Sequence, residues 1–89
     1  MNTYKLIVST PDGYAFEDDV CALYLRGADG DLAVMAGHIP FATVVKKGDC
    51  KIELKNGGTV NADIGSGILT VGDKGTILLS GFFEKRDDR

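Results

Sequence analysis

Apolar and polar residues alternate with a period close to two along nearly the whole chain, the spacing of strands that turn one face inward. Tyr4, Leu6 and Val8 alternate with Lys5, Ile7 and Ser9 and predict a first strand. Pro11-Asp12-Gly13 ends it, because proline presets one turn dihedral and glycine accepts the next. Tyr14-Ala15-Phe16 reads as a short second strand, and Val20 to Arg26 as a third with Cys21, Leu23 and Leu25 on one face. A turn at Gly27-Ala28-Asp29-Gly30 leads to a brief apolar run, Leu32 to Met35. A loop at Ala36 to Pro40 follows, and then extended structure from Phe41 to Lys46.

The clearest paired signal lies further on. Cys50, Ile52 and Leu54 alternate with Lys51, Glu53 and Lys55, and Val60, Ala62 and Ile64 alternate with Thr59, Asn61 and Asp63. Between them Asn56-Gly57-Gly58 offers residues that accept positive φ at the central turn positions, so the segment predicts a β-hairpin. Gly65-Ser66-Gly67 breaks the chain again. Ile68 to Val71 then turns through Gly72-Asp73-Lys74-Gly75 into Thr76 to Ser80. About nine short strands with closely spaced turns, and no sustained helical stripe, predict an all-β sandwich or barrel. The segment Glu84 to Arg89 is almost wholly charged and reads as a frayed, solvated end, which places the folded domain at 1–81 and a tail at 82–89.

Composition narrows the class without changing it. Eighty-nine residues suffice for one core, and 44% hydrophobic with 26% charged residues is globular rather than disordered. Net charge is −3 and the lysines are interrupted by Asp49 and Glu53, so no one-signed stripe exists for a phosphate backbone and nucleic acid is not an expected partner. Cys21 and Cys50 sit among apolar neighbours and read as two buried thiols, with a disulfide as the alternative if their strands meet. With no signal peptide and no apolar run of about 20 residues, the expectation is a cytoplasmic or equivalent compartment.

Candidate chemistry is sparse. His38 is the single histidine, so any histidine-dependent catalysis must use it, and no serine or cysteine lies near it in sequence. Gly65-Ser66-Gly67 lacks the glycine two residues before serine that a nucleophile elbow requires, and no Lys-Ser or Lys-Thr follows it as in a phosphate loop. It reads as a glycine bulge between strands. Asp29-Gly30-Asp31 lacks the further ligands of a calcium loop. No catalytic residue, cofactor or metal ligand set is expected.

One segment exceeds ordinary turn chemistry. Gly30-Asp31-Leu32-Ala33-Val34-Met35-Ala36-Gly37-His38-Ile39-Pro40-Phe41 holds a short strand between two glycine-bearing loops, the second closed by a His-x-Pro bend. It resembles the Gly-acidic-Leu-Gly-Val and Pro-Gly-His-x-Pro stretch of F-type ATP synthase epsilon subunits, with Ala33 in place of the usual glycine and Ala36 in place of the usual proline. Ser9-Thr10-Pro11-Asp12-Gly13, Phe16, Val45-Lys46-Lys47-Gly48 and Gly65 to Val71 resemble further family positions in the same order, so the likeness spans roughly Tyr4 to Ser80.

The resemblance implies a flattened sandwich of two sheets of about five strands, serving as a non-catalytic rotor subunit of the central stalk. Such a subunit links the gamma subunit to the polar loops of the c-ring and touches the catalytic head only indirectly. It lies at the cytoplasmic face of the energy-transducing membrane, held there only through the complex. Asp31, with Asp29 and Gly30, is carried over as the c-ring contact, and His38, Ile39, Thr43 and Ser9 as the gamma contact. From the residues alone, Asp31 as a solvated turn residue and His38 as a structural loop residue stay open. So does the alternative of a free-standing β-sandwich that binds a ligand or peptide. Family members continue into a C-terminal helical pair, which has no counterpart up to Arg89, so neither inhibition nor nucleotide binding is carried over.

Overall fold

In the computed structural model, which describes residues 2–86, the alternating segments are strands. In chain order they are β1 (Tyr4–Thr10), β2 (Gly13–Gly27), β3 (Gly30–Met35), β4 (Phe41–Val45), β5 (Gly48–Leu54), β6 (Thr59–Ile64), β7 (Gly67–Gly72), β8 (Gly75–Ser80) and β9 (Phe83–Arg86). The long strand β2 serves two sheets. Its first half pairs with β1 in a sheet ordered β2-β1-β8-β7-β4, and its second half lies between β3 and β5 in a sheet ordered β3-β2-β5-β6-β9. Pairing is antiparallel throughout except between β1 and β8, which run parallel. Two five-stranded sheets are thus built from nine strands. They meet along β2, and β4 returns to it at Gly27↔Val45, so the sandwich is only slightly flattened, at 30 × 28 × 26 Å.

The inward faces of both sheets fill one core. Leu6, Val8, Val20, Leu23, Ile52, Ile64, Leu69 and Leu78 are fully buried there. Each such side chain contributes about 1.5–3 kcal/mol relative to exposure, which is what holds a small two-layer domain together.

The structure corrects the sequence reading at four places. The expected second and third strands are one strand, because Glu17, Asp18 and Asp19 continue the pairing with Ile7, Leu6 and Lys5. Charged side chains are tolerated in this stretch because it is a sheet edge open to water. Within β2 the register against β5 shifts between Val20 and Ala22, a bulge that inserts one residue and reverses the alternation. Val20, Leu23 and Leu25 therefore face the core, and Cys21 is only half-buried.

The hairpin turn also differs. Gly57 alone takes a positive φ, +94°, while Asn56 does not. The turn closes through Gly57 N to Leu54 O and Leu54 N to Gly58 O, and Asn56 Oδ1 accepts from Gly58 N.

Finally, the expected charged tail is a strand as far as Arg86. Phe83 packs on the core and stacks at 6.1 Å from Phe16, β9 pairs with β6, and the Arg86 guanidinium reaches Asp49 at 3.0 Å and Asp63 at 3.5 Å. Asp87 to Arg89, the rest of that tail, lie outside the described residues.

No disulfide joins the cysteines. Cys21 contacts the Leu54 carbonyl at 3.7 Å, whereas Cys50 sits four residues back along β5, roughly 13 Å away and beyond bridging distance. Burial pushes the Cys50 thiol up to about 12. It also pushes up the Tyr4 hydroxyl, which donates to Val34 O at 2.8 Å and has Cys50 as a further, smaller influence. In the unfolded chain these groups ionise near about 8.5 and 10. The folded state holds both protons where the unfolded state sheds them, so stability is intact below about pH 8 and declines as pH rises toward 12. Urea midpoints are expected to fall steadily over that window; a flat profile would show that both groups reach solvent in the fold.

Candidate functional site

Alternation in β4, β7, β8, β1 and the first half of β2 sends every second residue to the outside of one sheet, and the register aligns these into rows. Val44 partners Ile68, Ile68 partners Leu79, Leu79 partners Ser9, and Ser9 partners Tyr14. The next row reads Ala42, Thr70, Ile77, Ile7 and Glu17. The first row crosses all five strands, roughly 19 Å, and is apolar except for Ser9.

Seven large apolar side chains are exposed among the described residues, and five of them, Tyr14, Val44, Ile68, Ile77 and Leu79, lie on this face. A contiguous apolar surface of this kind, built on rigid strands, marks a contact with another macromolecule.

The outer face of the other sheet is of opposite character. Arg26 Nε lies 3.7 Å from Asp31, Lys51 Nζ lies 3.9 Å from Glu53 and 5.6 Å from the Tyr24 ring centre, and Arg86 bridges Asp49 and Asp63. Most charges on that face lie beside an opposite charge, and the face stays wet.

The residues singled out in the sequence fall in three places. Ser9 lies in the apolar row, between Leu79 and Tyr14. Thr43 partners the buried Leu69 and turns to the inner side of β4; its neighbours Ala42 and Val44 occupy the outer face.

His38 and Ile39 form the β3–β4 bend. The His38 ring rests 4.8 Å from Phe41 with Nδ1 2.8 Å from Ile39 O, and the Ile39 side chain is 77% exposed. Asp29, Gly30 and Asp31 lie at the opposite end of β3, where Ala28 N bonds Val44 O and the Asp31 side chain is 92% exposed. The two groups are a strand length apart, roughly 20 Å, so they suit two different contacts.

Sequence reasoning did not single out Val44, Ile68, Ile77, Leu79 and Tyr14. A signal was available: Ile68-Leu69 and Ile77-Leu78-Leu79 are apolar at adjacent positions, so both faces of β7 and β8 are apolar although only one can meet the core.

Other chemistry is thin. No group of three or more metal-ligating side chains occurs among the described residues, and none of their buried polar side-chain atoms lacks a hydrogen bond. A cleft of about 540 Å³ between the β3–β4 bend and the β7–β8 turn is lined by exposed residues such as Lys5, His38 and Asp73 rather than by an apolar pocket.

Comparison with known proteins converges on one family. Residues 3–86 match the profile described as ATP synthase, Delta/Epsilon chain, beta-sandwich domain. The sodium ion specific ATP synthase epsilon chain of Acetobacterium woodii is 33% identical over 78 residues, covering 88% of this chain and 59% of its own length. The ATP synthase epsilon chain of Bacillus velezensis is 37% identical over 79 residues, with the same two coverages. This chain thus spans about three fifths of the length of these curated relatives. Among solved structures, a chain of the Euglena gracilis mitochondrial ATP synthase (OSCP/F1/c-ring) superposes with a TM-score of 0.86 at 21% identity, covering 93% of this chain and 53% of that one. A chain of the Tetrahymena thermophila central stalk and c-ring superposes at 0.75 with 16% identity, covering 92% and 66%. At these identities the likeness is one of fold.

Proposed function

The chain belongs to the ATP synthase delta/epsilon-chain β-sandwich family, and from that premise we propose that it is a non-catalytic rotor subunit of an F-type synthase. In this reading it joins the gamma subunit to the c-ring and so couples ion flow to ATP synthesis. It meets the catalytic head only indirectly and lies peripherally at the cytoplasmic face of the energy-transducing membrane.

The observation that carries the reading is the five-strand apolar row Val44, Ile68, Leu79, Ser9, Tyr14, a partner-sized surface on a fold with little other chemistry. Gamma sits on this face, with the His38–Ile39 bend and the Thr43 strand beside it. The turn bearing Asp29, Gly30 and Asp31 meets the polar loops of the c-ring, where an exposed carboxylate suits a reversible polar contact.

The test is co-purification with gamma and the c-ring. The wild-type chain should carry both. Asp31→Lys should retain gamma and its melting temperature while losing about tenfold in c-ring affinity, because the Arg26–Asp31 pair is a surface pair worth at most about 1 kcal/mol to the fold. A chain that binds neither partner, or a synthase that couples normally without it, overturns the reading.

A further inference from the structure

The two ends of the apolar row carry opposite charge. At the β2 end the outward positions run Tyr14, Glu17, Asp19, partnered across the strands by Ser9, Ile7 and Lys5, and Asp18, opposite the buried Leu6, is exposed on the other side of the same sheet edge. Glu17 lies 3.1 Å from Lys5 Nζ. Asp18 and Asp19 form no ion pair among the described residues; Asp18 Oδ1 accepts only from the Asp19 amide. At the β4 end the exposed Lys46 and Lys47 follow directly on Val45, offset in part by Asp29 in the adjoining turn.

Three successive carboxylates repel one another and are poor strand formers. On the outer face of the other sheet, Asp31, Asp49, Glu53 and Asp63 each have a cation within reach. Beside the apolar row, Asp18 and Asp19 at one end and Lys46 and Lys47 at the other form no ion pair among the described residues. A local rule broken at the rim of a docking face points to a complement supplied from outside.

We infer that the apolar row takes a protein partner whose apolar stripe is flanked by lysine or arginine at the end lying over Glu17, Asp18 and Asp19, and by carboxylate at the end lying over Lys46 and Lys47. The charge polarity sets which way round the partner lands, since an apolar stripe alone fits equally well when reversed. This rests on the rotor reading for its bait, the gamma subunit of the same synthase.

The experiment measures association of the full chain with purified gamma at low and high ionic strength. For Asp18→Lys/Asp19→Lys, association at low salt should slow about tenfold, with the difference vanishing at high salt and dissociation nearly unchanged. Asp18→Asn/Asp19→Asn should show a smaller loss of the same form, and Lys46→Glu/Lys47→Glu a loss comparable to the first. Association that is unchanged or faster in the aspartate variants overturns the inference while leaving the rotor reading intact. The inference fails equally if those variants self-associate with unaltered gamma kinetics, which would assign the carboxylates to protecting the β2 edge from other copies. Failure of the wild-type chain to bind gamma overturns the rotor reading and this inference with it.

Discussion

Gly67→Ala is expected to remove most of the stability of this domain, lowering its melting temperature by about 15 °C or more. Gly67 opens β7 opposite Ser80 and next to Val45, at a point where three strands converge. A Cβ there would overlap the Leu79 carbonyl oxygen and lie 2.8 Å from its carbon and 3.0 Å from Ser80 Cα. These are backbone atoms with no rotamer to swing aside, so β7 and β8 must spread and lose the hydrogen bonds that hold Leu69 and Leu78 in the core. A cost of about 3–4 kcal/mol follows, a large part of the 5–15 kcal/mol typical of a whole domain. At about 4–8 °C per kcal/mol, that gives the stated shift. Gly67 is not in the left-handed region; its requirement is close approach, not φ. A thermal melt within a few degrees of wild type would show that the strands can part cheaply.

Ile68→Asp/Leu79→Asp is expected to abolish binding of gamma, by at least about a hundredfold, with a much smaller effect on folding. The two residues partner each other at the centre of the apolar row and are 48% and 49% exposed, so the fold relies on them only in part. At an interface the same positions are fully desolvated, and a carboxylate held there without a partner costs several kcal/mol. Central apolar contacts of this kind carry most of an interface's energy, about 2 kcal/mol or more each. Isothermal titration beside matched melting curves separates the two effects. Glu53→Lys, on the opposite sheet, is the control expected to bind normally. Unchanged affinity of the double variant would move the docking face elsewhere on the molecule.

Much of the fold was legible because strand alternation is a local property. The period-two pattern located β1, the β5–β6 hairpin, β7 and β8, and the Gly30-to-Phe41 segment pointed to the family that residues 3–86 match. What escaped was everything set by neighbours in space. Glu17-Asp18-Asp19 looked like an interruption because its composition suits a turn, yet pairing with β1 carries the strand through it. The bulge at Cys21 depends on how β2 meets β5 and leaves no mark on either strand alone. The charged run after Phe83 becomes β9 because Phe83 finds the core and Arg86 finds two carboxylates on distant strands.

The candidate site divides along the same line. By itself the sequence determined most of the strands, the hairpin, the glycine-bearing bends and the family, since each depends on residues within a few positions of one another. The tertiary structure alone decided that Val44, Ile68, Leu79, Ser9 and Tyr14 form one row. It also decided that Asp31 and His38 stand at opposite ends of β3, and that carboxylates gather at one end of the row and lysines at the other. A row across a sheet collects one residue from each of several strands, and its membership is set by register and by the parallel return of β8 to β1. Those are properties of pairing between distant segments, which no window along the chain contains.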